Sequence, residues 1–422
     1  MSETAVVLLP YLKTEANLRD PQARLSEVVS LTKAIDLTVV HYEAVCIREI
    51  KVGTYLGQGT IERLGSIIED NQVGVVIMGC HLSPLQQRNL EKIWNTKVID
   101  KTALILEIFG QRARTKEGVL QVELAHLTYA RSRLVRSWTH LERQRGGGGF
   151  LGGPGETQIE LDRRLIDEDI VKIKKELAEV KKTRELHRKA RKRVPYPIVA
   201  LVGYTNAGKS TLFNQLTQSN VFAKDLLFAT LDPTMRQVRL PAGQNIILSD
   251  TVGFISDLPT ELIMAFRATL EEVLEADIII HVRDCSHSDT SAQKQDVENV
   301  LSDLGLSETV ENGMLEALNK IDLLPEEEQN CILQKSTRHK NEYPICAKTG
   351  EGIDNLLIAI QNRLTAGYKK IKLKVPISDG AGLALAYRKA QILERKDTTR
   401  HISLTVLVNP VDVGLFDNFR VG

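Results

Sequence analysis

The residues with the most chemical content stand together at Gly203-Tyr204-Thr205-Asn206-Ala207-Gly208-Lys209-Ser210-Thr211. The apolar run PIVALVG leads into them and the helical pattern STLFNQL leads out, so the segment reads as strand, glycine-rich turn and helix. Glycines let a backbone curl until its N–H groups and the start of the helix surround a phosphate. In the pattern GxxxxGK[ST], Lys209 would reach the β- and γ-phosphates of a nucleotide, and the Ser210 hydroxyl would ligate Mg²⁺. An ordinary glycine-rich turn has no packing reason to be followed by a lysine and a serine. All the residues from 203 to 211 are therefore expected to contact the nucleotide.

Three further segments fall in the order that a guanine-nucleotide switch requires. Asp250-Thr251-Val252-Gly253 ends the run NIILSD, which places Asp250 near the metal, through a water, and the Gly253 N–H near the γ-phosphate. Asn319-Lys320-Ile321-Asp322 ends MLEALNK; the Asp322 carboxylate can accept from both N1–H and the exocyclic amine of guanine, whereas adenine offers a mismatched edge. Cys346-Ala347-Lys348 ends YPICAK and would close over the base with its backbone. Each fragment alone is weak, but together, each at the C-terminal end of an expected strand, they predict GTP and GDP rather than adenine nucleotides. The intervening FATLDPT offers Thr230 and Thr234 as the hydroxyl that completes the Mg²⁺ shell; Thr230 is the expected one and Thr234 the alternative. Phe254 stands after DTVG, where many such switches place a water-orienting glutamine. An apolar ring cannot orient water, so hydrolysis by the isolated protein is expected to be slow. Asn206 either helps to hold a monovalent cation such as K⁺, doing the electrostatic work of an arginine finger, or only caps the turn. The expected catalytic set is thus Lys209, Asn206, Thr230 and Gly253.

These residues need a scaffold, and 422 residues exceed one ordinary core. Residues 1–112 alternate short apolar runs with amphipathic stretches and read as a small N-terminal α/β domain. Residues 113–193 form a heptad-like pair: Leu120, Leu124, Leu127 and Leu134 precede the glycine-rich run 146–155, and Ile166, Ile170, Ile173, Leu177 and Val180 follow it. The pattern predicts an antiparallel two-helix coiled-coil arm, with Thr157 and Glu160 as a capping box for its second helix. VPYP at 194–197 is a linker. Residues 198–366 predict a doubly wound, mostly parallel sheet, and 367–422 a small C-terminal α/β domain read as strand KIKLKVP, helix GLALAYRKAQILERK and strand HISLTVLVNP. No apolar stretch approaches the ~20 residues of a membrane-spanning helix. The N-terminus shows no secretory leader, and five scattered cysteines without a Cys-x-x-Cys pair give no zinc site, so a reducing cytoplasm is the expected location. No dimer seam stands out beyond the internal helix pair, and a monomer is expected.

The net charge of +1 hides a segregation. Residues 113–193 hold 20 Lys and Arg against 12 Asp and Glu, a net of +8, and the rest of the chain nets −7. Arg131, Arg133 and Arg136 lie along the first helix; Lys181, Lys182, Arg184, Arg188, Lys189, Arg191, Lys192 and Arg193 crowd the end of the second. A basic arm with a glycine tip suits rRNA, where phosphate contacts supply affinity and shape supplies selection, and Trp138 or Phe150 could stack on bases or pack across the helix ends.

With these elements in place, the chain resembles the HflX family of translation-factor-related GTPases over nearly its whole length. The resemblance is carried by YLGQGTIERL (55–64), LQVELAHLTYARSRL (120–134), GGPGETQIELDRR (152–164), GYTNAGKST, FATLDPT, DTVGFISDLP (250–259) and NKID, of which GPGETQ is the most family-specific. Departures are Thr60, and Leu151 and Gly152 at the tip, where the family usually has basic residues, and Cys346 where serine is commoner. The resemblance implies a Ras-like P-loop GTPase domain and a protein that binds ribosomes through their large subunit and splits stalled ones, often under stress. It also implies that the N-terminal domain reaches the ribosomal peptidyl-transferase region, with the helical pair and its glycine-rich loop inserted into RNA. The alternatives are a large-subunit assembly GTPase and a GTP-controlled regulatory protein that does not act on ribosomes.

Overall fold

The alternation of apolar and amphipathic segments resolves, in a computed structural model of the chain, into three separate sheets and one long helical pair. The structure describes residues 3–14, 19–144, 154–191, 196–218, 228, 234–256, 272–311, 313–338 and 341–421, with the backbone alone at 135–144, 154–159, 181 and 183–191.

The first unit comprises β1 (Thr4–Leu12), α1 (Pro21–Lys33), β2 (Thr38–Ile47), α2 (Gln58–Asp70), β3 (Val75–Met78), α3 (Pro84–Trp94), β4 (Lys97–Asp100) and α4 (Lys101–Arg112). Its strands lie in the order β2-β1-β3-β4, all parallel. Val75 to Met78 are buried throughout, as expected of a strand covered by helices on both faces. Side-chain caps fix where the helices begin: Asp20 accepts from the Gln22 and Ala23 amides, Ser83 and Gln86 form a capping box, and Asp100 accepts from the Ala103 amide.

The arm is α5 (Lys116–Gln144) with α6 (Pro154–Arg191). The Arg131 guanidinium donates to Asp167 at 3.0 Å across the pair, fixing its antiparallel register, and Ile170 and Ile173 are buried in the seam. Helix α6 starts at Pro154, so Thr157 and Glu160 lie inside the helix rather than at its cap; a proline at the first helical position needs no N–H partner. Phe150, Leu151 and Gly152, like Lys192 and Arg193, lie outside the described residues, as do the side chains of Arg136, Trp138, Lys181, Arg184, Arg188, Lys189 and Arg191.

Arg133, one of the basic residues of the arm, turns back into the first unit. Its Nη2 lies 2.6 Å from the fully buried carboxylate of Asp100 and 3.3 Å from the Leu82 carbonyl; it also bonds Gln87 and stacks over the Tyr129 ring. Tyr129 donates its hydroxyl to the other Asp100 oxygen at 2.8 Å. Asp100 therefore caps α4 and anchors α5 at once, which ties the base of the arm to the first sheet.

The third unit runs β5 (Ile198–Val202), α7 (Lys209–Thr217), β6 (Thr234–Arg239), β7 (Asn245–Asp250), β8 (Ile278–Asp284), α8 (Thr290–Asp303), α9 (Ser307–Glu311), β9 (Leu315–Asn319), α10 (Glu326–Ser336), β10 (Glu342–Pro344) and α11 (Ile353–Thr365). Its six strands lie in the order β10-β9-β8-β5-β7-β6, parallel except β6, so the expected doubly wound sheet is borne out. The strand expected over YPICAK stops at Pro344, and Cys346 to Lys348 form a turn closed by the Gly350 amide on the Cys346 carbonyl.

The last unit is β11 (Lys369–Pro376), α12 (Gly380–Lys389), β12 (Ala390–Asp397), β13 (His401–Val408) and β14 (Arg420–Val421), an antiparallel sheet in the order β12-β13-β11-β14. The expected helix over GLALAYRKAQILERK ends at Lys389, and its second half is strand β12. Helix propensity differs little among such residues, and the main-chain ladder with β13 decides. Among the described residues no helix is long and apolar enough to cross a membrane.

Replacing Arg133 by Ala should leave the Asp100 carboxylate buried without its cation and cost about 3–5 kcal/mol. Urea unfolding of the two proteins measures it; a loss below about 1 kcal/mol would show that the pair does not anchor the arm.

Candidate nucleotide site

The parallel strands β5, β7 and β9 end on one side of the six-stranded sheet, and their C-terminal loops converge there. The loop after β5 makes two turns that only glycine tolerates. Gly203 has φ 149°, and a Cβ there would lie 2.2 Å from the Val282 carbonyl oxygen; Gly208 has φ 95°, and a Cβ would lie 2.1 Å from the Asn319 carboxamide nitrogen. Asn206 is also left-handed, at φ 59°, a conformation that asparagine tolerates, and it is exposed at the rim of the loop. Thr211 is exposed in the first turn of α7.

The Lys209 ammonium is buried and donates to the carbonyls of Gly203 at 3.0 Å and Tyr204 at 2.7 Å. Burial pushes it down to about 8, against the opposing pull of Asp250, so it keeps its positive charge at pH 7. Ser210 donates its hydroxyl to the fully buried Asp250 at 2.7 Å, so two hard oxygen ligands meet at one point. The segment after Asp250 zips onto the loop: the Thr205 amide donates to the Phe254 carbonyl at 2.7 Å and the Phe254 amide to the Gly203 carbonyl at 3.1 Å. A Cβ at Gly253 would come 2.9 Å from Thr205 Cα and 3.0 Å from the Lys209 ammonium. The Phe254 ring is 3% exposed and belongs to the core.

Asn319 joins three segments. Its carboxamide donates to the Ala207 carbonyl at 2.8 Å and accepts from the Ala347 amide at 2.9 Å. It thereby holds the loop after β5 against the Cys346–Lys348 turn, where Cys346 and Ala347 are buried and Lys348 is exposed. Lys320 takes φ 66° and pairs with Asp284 at 2.7 Å, and Asp322 emerges exposed from the following 3₁₀ turn. Of the two candidate threonines, Thr234 begins β6, paired with Asp250, while Thr230 lies outside the described residues.

Motif reading missed a group of residues from the first unit. Glu27 on α1 accepts the Tyr204 hydroxyl at 2.6 Å and the Lys101 ammonium at 2.9 Å. Tyr204 in turn accepts the Ser256 amide at 2.6 Å, and Lys101 donates to the Ser256 hydroxyl at 2.8 Å. Tyr204, Lys101 and Ser256 are all buried. Burial and the adjacent carboxylate raise the Tyr204 hydroxyl, which stays neutral and donates. The available signal was Glu27 and Lys101 themselves, each a charge placed among the apolar residues of an inward helix face. A second link, Arg19 to Asp296 at 2.5 Å, joins the same units.

Tyr204→Phe should strand the Ser256 amide and one Glu27 oxygen and cost about 1–3 kcal/mol, read by urea unfolding. The loss should shrink in a Glu27→Gln background; equal losses would mean the two residues are uncoupled. His281 on β8 is buried and its pKa is pushed down to about 3, chiefly by desolvation. It stays neutral when folded, so its contribution is complete above the unfolded value of 6.5 and is lost as pH falls toward 3. Lowering pH from 7.5 to 5 should therefore cost about 2 kcal/mol through this group. A His281→Asn variant with the same pH slope as wild type would contradict it.

Comparison with known proteins adds to this geometry. Residues 22–110 match the family described as GTP-binding GTPase N-terminal, 112–191 the GTP-binding GTPase Middle Region, 198–320 the 50S ribosome-binding GTPase and 331–412 the HflX C-terminal domain. The chain is 47% identical over 408 residues to a GTPase HflX of Magnetococcus marinus, covering 97% of this chain and 93% of that one. It is 39% identical over 412 residues to the GTPase HflX of Escherichia coli, covering 97% and 94%. With its glycine-bounded phosphate loop, the strand-end segments around Asn319 and four family matches in chain order, the chain belongs to the HflX family of GTPases, enzymes that hydrolyse GTP.

Proposed function

We propose that this GTPase acts on the ribosome, binding its large subunit and using GTP to split stalled particles. The observation that carries the reading is the anchoring of a basic two-helix arm, net +8, to the unit that also grips the phosphate loop. Within the site, the residues from 203 to 211 cradle the phosphates, and Lys209 exchanges its bonds to the loop carbonyls for β- and γ-phosphate oxygens. Ser210 and, through water, Asp250 would hold Mg²⁺, a hard cation suited to their two oxygens, with Thr230 as the expected third group. Asn206, exposed at the loop rim, would hold K⁺. Bound Mg²⁺ neutralises charge that develops on the transferred phosphoryl group. Asp322 reads guanine, and the Ala347 backbone, set by Asn319, closes beside the base.

Gly253 packs against Thr205 and Lys209 of the loop, and its amide would meet a γ-phosphate bound there. Displacement of this segment would pull on Ser256, and through Lys101 and Glu27 on the first unit and the arm anchored to it. A change of nucleotide thereby becomes a change in arm position. The arm's phosphate contacts supply affinity for folded rRNA.

Lys209→Ala should weaken GTP binding by at least about 3 kcal/mol, roughly 150-fold, in equilibrium titration. Asp322→Asn should shift preference toward xanthine nucleotides; unchanged guanine selectivity would remove Asp322 from base reading. Loss of light scattering from intact ribosomes mixed with the protein and a non-hydrolysable GTP analogue tests splitting, and tight binding without that loss would sink the splitting step.

A further inference from the structure

Charge outside the arm is not evenly spread. Residues 367–422 contain ten Lys and Arg against five Asp and Glu, a net of +5, so the remainder outside the arm and this segment nets −12. The sheet of this last unit is covered on one face only. Ile371, Leu373 and Val375 of β11 pack with Ile402, Leu404, Val406 and Val408 of β13 beneath Ala386 of α12 and Phe416 of the 3₁₀ segment Pro410–Phe419. The alternate residues of β11, Lys370, Lys372 and Lys374, stand exposed on the opposite face.

Register places further residues beside them. Lys374 pairs with Ser403, and Ser403 with Lys396 on the far strand, so a hydroxyl is flanked by two ammonium groups. Lys372 pairs with Thr405, which neighbours Glu394, the acidic residue of this face. Among the described residues the four lysines enter none of this unit's ion pairs, which join Lys389 to Asp412 and Arg395 to Asp397. Lys370, Lys372 and Lys374 lie opposite Leu407, Thr405 and Ser403, so this arrangement gives them no directly opposite carboxylate across the ladder. It favours an anionic partner with charge repeated along its length.

We infer that this open lysine face is a second RNA-binding surface, engaging the phosphate backbone of a folded RNA. None of the paired residues on the face is Phe, Tyr or Trp, so it lacks both the stacking platform used to read unpaired bases and the aromatic anchors typical of protein interfaces. Phosphate contact with selection by shape is the chemistry that remains. The inference deepens the ribosome reading above and rests on it only for the identity of the RNA.

The test uses the full chain and the variant K370Q/K372Q/K374Q, with GTP affinity and thermal unfolding as controls expected not to change. Affinity for isolated large ribosomal subunits, and separately for an RNA duplex, is measured from about 50 to 200 mM salt. The variant should bind both more weakly, and its plot of log affinity against log salt should be shallower by about 2–3. Duplex RNA should compete for the wild-type protein and polyglutamate should not. Slopes equal to wild type, or competition by polyglutamate as strong as by RNA, would overturn the inference. Weakening on duplex RNA when wild type ignores large subunits would keep this face and remove the ribosome reading instead.

Discussion

The buried carboxamide of Asn319 is the interaction on which the nucleotide site depends. Three loops leave three different strands, and nothing in their local sequence makes them meet. One side chain with a donor and an acceptor ties the Ala207 carbonyl to the Ala347 amide. Both partners are main-chain groups, so the distance between the loop after β5 and the Cys346–Lys348 turn is set by backbone rather than by mobile side chains. The packing tolerates no atom beyond this: Gly208 must lack a Cβ because the Asn319 nitrogen occupies its place.

The same economy governs how the units are joined. Interior charges are costly unless paired and fully hydrogen-bonded. Two such pairs stand at junctions, Asp100 with Arg133 at the base of the arm and Glu27 with Lys101 against the phosphate loop. Each pair fixes geometry, because its carboxylate accepts from more than one group: Asp100 from Arg133 and Tyr129, Glu27 from Lys101 and Tyr204. Helix α4 begins between the two: Asp100 caps it, and Lys101 is its first residue. The nucleotide loop and the arm are thus connected through adjacent residues of one helix start.

Charge is distributed with equal consistency. A whole-chain value of +1 is the sum of a strongly basic arm, a basic C-terminal unit and an acidic remainder. Acidic surfaces discourage indiscriminate contact with polyanions and confine such contact to the basic parts.

The sequence by itself determined the nucleotide chemistry. GxxxxGKS, DTVG and NKID are local patterns whose residue types have few other physical uses, and the strand–helix alternation that carries them is a local periodicity. It likewise determined the helical arm, through its seam of leucine and isoleucine. Only the tertiary structure decided the fate of AQILERKD, which a helix period describes well but a neighbouring strand claims. Only the tertiary structure turned Arg133 inward and brought Glu27 within 2.6 Å of Tyr204, 177 positions away. Pairing between distant residues leaves no periodic trace in either segment: a charge among apolar residues shows that a partner is needed, but not which one. Their partners exist only once the sheets have packed.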